Sequence, residues 1–397
     1  MSKFSFKFVS VGFIFVVCLV NRLCGVPPKG SKSAGSSSSS GRKNLVVITD
    51  MEPDDRIALE MIHSQLAERI LAIGTTVLNA ERKAALVRDA LEGTELEGVK
   101  VFVGSGGRKR EYPLIKSTRA ALTYGDKEGK GILDEATLNS LKNKLLGKEK
   151  GIDFLVLAPP TDLTAVLIKN GQLAGSIGKI HLMGGWNAPK EGSNVCRSSY
   201  NVNMDAQATA QLLEMANKEK VAVVLYSSHV LARDLGLSIN GNNFPNLIKM
   251  ITESKAPGIE KFRKAGESWD THLVQCYEKL KNVVGPHIGR QFTPADPMTV
   301  MGYLWETNSK ANAGDKQLIK KYEKVIILSI GNRSDEGYEV KVEEGYEVKV
   351  EKIGKGITMA SEIDKKIFES EMKRIIGEIN DEFEGKGKSE RKRHKGN

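Results

Sequence analysis

At 397 residues, with 40% hydrophobic and 27% charged side chains, the chain carries enough apolar material for one large or two smaller globular domains, which excludes wholesale disorder. Its net charge of +10 includes a basic cluster between Lys386 and Lys395. Aromatic and basic residues do not interleave as a nucleic-acid groove requires, so the excess reads as surface charge and no nucleic-acid partner is expected.

Met1 to Gly25 reads as a targeting segment. Lys3 and Lys7 precede an apolar run from Phe8 to Val20 that is too short to span a bilayer comfortably, and Asn21 and Arg22 follow it. The segment predicts export to a secreted or periplasmic location. A retained N-terminal membrane anchor is the competing reading, and Cys24 is a candidate lipid-attachment site. Cys18 and Cys24 lie in this segment, so only Cys196 and Cys276 remain, too few for a disulfide framework. They either pair after export or stay as buried thiols. Residues 26–41, with the run Ser37 to Ser40, form a flexible linker. One folded domain is expected over residues 42–383, followed by a disordered basic tail, 384–397.

The domain opens with Leu45 to Ile48, a β-branched run suited to a buried parallel strand, and Pro53 marks where a helix begins. Between and just beyond them stand Asp50, Glu52, Asp54 and Asp55. Four carboxylates at one strand end repel each other unless a cation or a helix N-terminus neutralises them. Helix capping by two of the acids is one account, and a hard-cation site with oxygen ligands is the other.

Strands and helices then alternate. Strands are predicted at Ile70–Val77, Val99–Val103, Ile152–Leu157, Ile180–Met183 and Val221–Tyr226, with helices between, which points to an open, mainly parallel α/β sheet flanked by helices. Gly104 to Gly107 lacks the lysine and hydroxyl of a phosphate-binding loop and reads as a turn. Residues 187–203 read as an irregular polar loop. Ligands of open α/β sheets bind beyond the carboxyl ends of the strands, which here offer Asp50, Asn79, Thr161, Trp186 and His229. Further along, Ala295-Asp296-Pro297 opens a helix, and a late strand covers Val325 to Ile330. A perfect tandem repeat follows, Glu336 to Glu343 and Glu344 to Glu351, each copy alternating apolar and charged residues as a half-buried strand does. Glu343-Glu344-Gly345 is expected to turn the two copies into a C-terminal hairpin, and Ser361 to Phe383 to form the last helix.

Taken in order, these motifs resemble the inosine-uridine preferring nucleoside hydrolases. Asp50, Asp54 and Asp55 keep that family's Asp-x-x-x-Asp-Asp spacing. Thr75-Thr76-Val77 with Asn79, the turn Ala158 to Asp162, Met183-Gly184-Gly185, Tyr200-Asn201 with Asp205, and Ala295-Asp296-Pro297 are similar to its later motifs. The resemblance implies a calcium-dependent hydrolase that splits the N-glycosidic bond of ribonucleosides into ribose and a free base. It implies Ca2+ on Asp50, Asp55, the carbonyl of Thr161 and Asp296, with Asp50 as general base. Asp54, Asn79 and Asn201 would hold the ribose, and dimers or tetramers are usual in the family.

The chain also departs from the family. Met51-Glu52-Pro53 replaces a Pro-Gly-x turn and adds a carboxylate, Ser199 stands where an acid often precedes the Phe-Asn pair, and Ala295 replaces a histidine near the departing base. Tyr124, His229 and His272 are candidate proton donors in its place. Trp186 and Trp269 suit either base stacking or the core. Two rivals follow: a catalytically weakened nucleoside- or glycoside-binding protein on the same fold, and a phosphohydrolase with Asp50 as nucleophile. The second is opposed by Glu52, which stands where another Asp is wanted.

Overall fold

The computed structural model describes residues 44–77, 80–104, 151–169, 171–186, 195–236, 239–264, 291–292, 294–307, 317–334, 337–348 and 355–394. The chain divides into two units, Met1–Ser40 and Gly41–Asn397, and every described element belongs to the second. The expected leader and linker, the Asn79, Tyr124, Trp269 and His272 sites and Cys276 lie outside the described residues.

The strands are β1 (Leu45–Thr49), β2 (Ile70–Thr75), β3 (Lys100–Val103), β4 (Ile152–Val156), β5 (Ile177–Met183), β6 (Val195–Arg197), β7 (Ala222–Tyr226), β8 (Ile239–Asn240), β9 (Gln291–Phe292), β10 (Ile319–Ser334), β11 (Gly337–Val348) and β12 (Gly356–Ile363). The helices are α1 (Pro53–Leu66), α2 (Ala80–Leu91), α3 (Thr161–Lys169), α4 (Tyr200–Met204), α5 (Ala206–Asn217), α6 (Ser228–Asp234), α7 (Pro245–Glu253), α8 (Ala295–Thr307) and α9 (Lys365–His394). Ten strands form one sheet in the order β3-β2-β1-β4-β5-β7-β12-β10-β11-β6. It is parallel from β3 through β12, and β10, β11 and β6 add an antiparallel edge.

β1 lies between β2 and β4, and all five of its residues are buried. Successive side chains of a strand face opposite ways. Accordingly Leu45 and Val47 pack into a core with α1, α8 and α9, while Val46 and Ile48 pack into a second core with α3 and α5. Helices thus cover both faces, the condition that lets a parallel strand be apolar throughout. The carboxyl end of β1 is left as the place where polar side chains gather.

Four expectations need correction. The repeat does not fold back on itself: both copies run through the single strand β11, which pairs antiparallel with β10 from Ser334↔Gly337 to Tyr322↔Val348. β10 pairs the described residues of both copies, Gly337 to Val348, whereas a hairpin of the two copies would leave its edge unpaired. The hairpin at this end of the chain is therefore β10–β11. Lys324 pairs Tyr346 and Ile326 pairs Glu343, so Glu344 and Gly345 together oppose Val325, and the glycine expected in a turn serves a β-bulge. Next, the polar stretch read as loop contains β6 and α4. The sequence reading also passed over β12, although it is the strand that joins the parallel and antiparallel parts of the sheet. Finally, the last helix does not span Ser361 to Phe383: Ser361 to Ile363 finish β12, and α9 starts at Lys365 and continues to His394, into the segment expected to be a disordered tail.

Candidate active site

Asp50 follows β1 directly and is buried. The next residue, Met51, holds a left-handed backbone (φ 52), as does Val77 (φ 63) just past β2. A β-branched residue there is a genuine outlier, and such strain persists only where surrounding contacts over-determine it. Around Met51 those contacts are present. Thr49 Oγ1 bonds Asp55 Oδ1 and accepts from Met51 N–H at 3.0 Å, and Glu52 N–H donates to Asp55 Oδ2 at 2.8 Å. Glu52 and Asp55 form a capping box on α1, with Pro53 at its first turn. Capping is therefore real, but it engages only part of the acidic group.

Asp296, near the start of α8, brings a further buried carboxylate. Asp54, Asp55 and Asp296 each offer an oxygen, all within 4.8 Å of one another. Burial is the main force on these groups and raises them all. Asp54 is pushed up to about 7, chiefly by burial; Asp55 rises well above the carboxylate range through burial and then the charges of Asp50 and Asp54, and Asp296 does so through burial and then the charges of Asp55, Asp54 and Asp50. Uncompensated buried charge of this kind is costly, and a bound cation removes the cost. An all-carboxylate oxygen set suits a hard divalent cation such as Ca2+.

The remaining predicted residues lie as follows. Asp50 is outside that trio of oxygens, and its carboxylate acts on the trio through charge. Thr161 opens α3 beyond β4, the strand beside β1, and its hydroxyl donates to Asp205 Oδ2 at 2.9 Å. Asp205 also caps α5 by accepting from Ala208 N–H. Asn201 is buried on α4, and its Nδ2 donates to the carbonyls of Leu157 and Met183, both at 3.0 Å. Two carbonyl partners fix the nitrogen inward, which leaves Oδ1 as the acceptor for a ligand.

Several open alternatives are decided. Trp186 is 2% exposed and packs with Leu182 and Leu225, so it belongs to the core. Ser199 accepts from Gly185 N–H at 3.0 Å and so fixes the Met183-Gly184-Gly185 turn. Gly185 has φ 144, and a Cβ there would meet Ser227 Cβ at 3.1 Å, so the position requires glycine. His229 is half-buried at the start of α6, where burial lowers its pKa.

The sequence reading missed one residue of the site. Lys83 on α2 is 1% exposed, its Nζ lies 3.4 Å from the Thr76 carbonyl, and its charge acts on Asp50 and Glu52. A signal was available: Ala80, Lys83, Ala84, Val87 and Leu91 form the buried stripe of α2, so the lysine occupies a core position. Lysine is almost never fully buried without a partner charge.

Carboxylates collected at the strand ends of an open, mostly parallel, helix-covered sheet define the class, an α/β protein with an acidic site beyond the carboxyl end of its first strand. The sequence profile described as inosine-uridine preferring nucleoside hydrolase matches residues 45–382. The chain belongs to that family, and is thereby an N-glycosidic bond hydrolase. Comparison with curated proteins gives no match in sequence. Among solved structures, a purine-preferring ribonucleoside hydrolase from Gardnerella vaginalis is similar at 19% identity and TM-score 0.58, over 85% of this chain and 99% of its own. An inosine-uridine preferring nucleoside hydrolase from Bacillus anthracis matches at 15% identity and TM-score 0.57, over 85% of this chain and 100% of its own. A plant nucleoside hydrolase matches at 15% and 0.58, over 84% and 98%. Identities this low speak for a shared fold.

Proposed function

We propose that this chain is an exported, calcium-dependent hydrolase of ribonucleosides. The observation that carries the reading is the approach of Asp54, Asp55 and Asp296 within 4.8 Å beside Asp50. Ca2+ would be held by Asp55, Asp296 and neighbouring oxygens, with Asp50 and the Thr161 carbonyl as the other donors the family resemblance implies. When bound, the ion supplies a Lewis acid that lowers the pKa of a water and orients ribose hydroxyls. Asp50 would accept the proton of the attacking water as the water oxygen adds to C1′ of the ribose. Asp54, Asn79 and Oδ1 of Asn201 accept the sugar hydroxyls. The same carboxylates stabilise the positive charge that builds on the sugar ring as the bond to the base breaks.

The departing base takes a proton, and Ala295 carries none. His229 is the described candidate donor, with Tyr124 and His272 the others. Ala295 and Ser199 together favour one second reading, a nucleoside binder with weakened turnover. The phosphohydrolase reading loses ground because Glu52 is engaged in the capping box of α1.

Base release from inosine, uridine and other ribonucleosides, measured with calcium, with chelator and with Asp50→Ala, separates these readings. Calcium-dependent release that is lost in the variant is expected. Nucleoside affinity without release gives the binder, and phosphate release from a phosphomonoester overturns both.

A further inference from the structure

Two features of the site have no part in the reaction just described: the glycine turn after β3 and the acid that follows Thr161. Asp162, in the first turn of α3, accepts from the Thr76 hydroxyl at 2.6 Å. Thr76 stands just beyond β2 and is buried, and its N–H donates at 3.2 Å to the carbonyl of Thr49, the residue before Asp50. Thr49 in turn bonds Asp55 through Oγ1. A continuous run of hydrogen bonds therefore joins Asp162 to Thr76, Thr76 to Thr49 and Thr49 to Asp55. α3 follows β4, yet Asp162 meets residues just beyond β2 and β3, so its side chain reaches across the carboxyl end of β1.

Gly104, just past β3, donates its N–H to the Thr75 carbonyl at 2.7 Å, and a Cβ there would overlap both that carbonyl and Asp162 Oδ2. The glycine leaves the space that the carboxylate fills. On its other side the start of α3 is held by the bond from the Thr161 hydroxyl to Asp205, which caps α5.

We propose that Asp162 is a positioning residue of the metal site. Tied to Thr76 and given room by Gly104, it fixes the start of α3 against the turn after β1, so that Thr161 is held in register with Asp50 and Asp55 as a donor to one Ca2+. Its part is to place another donor, not to bind the ion or the sugar itself. The inference rests on the proposed calcium-dependent hydrolase reading, in which the Thr161 carbonyl is a ligand. Groups that hold a metal ligand in place cost roughly ten- to a hundredfold in affinity when they are removed.

Calorimetric titration of CaCl2 into the full chain and its variants tests this. Thr76→Val removes the hydroxyl and no charge, and should raise Kd about tenfold. Asp162→Ala should raise it at least as far, whereas Asp162→Asn keeps an oxygen to accept from Thr76 and should stay within about threefold of the wild type. Thr76→Val and Asp162→Ala break the same bond, so their combination should lie within about twofold of Asp162→Ala alone. A tether that is merely structural lowers the thermal midpoint and leaves Kd unchanged, and that outcome overturns the proposal. An Asp162→Asn as weak as Asp162→Ala also overturns it, by assigning the effect to charge. If Asp162→Ala does not fold, Thr76→Val and Asp162→Asn decide by the same criteria. A wild type that binds no calcium ends the calcium reading and this proposal with it. A wild type that binds calcium, with a Thr76→Val that binds it equally well, ends this proposal alone.

Discussion

Asp296 shows how a side chain proposed as a metal ligand can cost stability. Its carboxylate is buried among Asp50, Asp54 and Asp55, whose charges repel it. Asp296→Asn keeps the shape and removes that repulsion. In metal-free protein the variant should be more stable, by about 1 kcal/mol, as is common where an active-site charge is neutralised. Calcium-dependent base release should fall by about a thousandfold or more, since a ligand and a transition-state charge are lost together. Chemical denaturation and steady-state kinetics on one preparation check both halves.

His181 carries a different residue-scale expectation. It is buried on β5, and burial, followed by the charges of Lys179 and Arg69, pushes its imidazole down to about 3. Glu306 lies 3.8 Å from Nε2, but it is raised by its own burial and is bonded by Lys179, so it does not hold the ring charged. A folded-state pKa below the unfolded one means that the unfolded chain binds the extra proton between pH 6.5 and 3. Stability is therefore lost as pH falls through that window, by about 2 kcal/mol between pH 6.5 and 5 from this group. Denaturation curves of wild type and His181→Gln across that range should converge as pH falls, and parallel curves would assign the loss elsewhere.

At the scale of the element, β11 is where sequence and structure part most clearly. The repeat encodes strand character correctly in each copy, but strand character does not choose a partner. β10 took both copies, and Gly345 became part of a bulge. Deleting one copy, Glu344 to Glu351, removes an even number of residues, so the remaining alternation keeps its faces. The expected result is a folded protein that has lost about 1–2 kcal/mol from shortened pairing. A cooperative thermal transition with unchanged base release checks it, and loss of cooperativity would show that both copies are required. β6 and α4 escaped the sequence reading for a related reason. Three residues of β6 carry too little periodicity to stand out, and they pair with β11, an element far along the chain. β12 was passed over because it is embedded between the repeat and the last helix, and its mixed run Gly356 to Ile363 includes the buried Thr358.

For the whole molecule, every described element falls in the unit Gly41–Asn397. A chain beginning at Arg42 should keep the thermal midpoint of the full chain within about 2 °C and retain its base release, because both hydrophobic cores are built from residues after it. Differential scanning calorimetry of the two forms checks this, and a large drop would assign residues 1–41 a structural role. The two hydrophobic cores that flank the sheet explain why so short a site motif can be held rigidly. β1 is locked by neighbours on both edges and helices on both faces, so the turn after it inherits a fixed origin.

By itself the sequence determined the parallel sheet, through apolar runs separated by helical periodicity. It also determined the acidic turn, because Asp50, Asp54 and Asp55 are neighbours along the chain and need no folding to be seen together. What only tertiary structure decided is everything that depends on partners distant in sequence. Asp296 joins Asp54 and Asp55 because α8 returns beside the end of β1. Lys83, on the buried stripe of α2, reaches the Thr76 carbonyl just beyond β2 because that helix packs back beside the end of the strand. Periodicity reports which face of an element is buried. It does not report what that face is buried against, and charges act on whatever the fold places within reach.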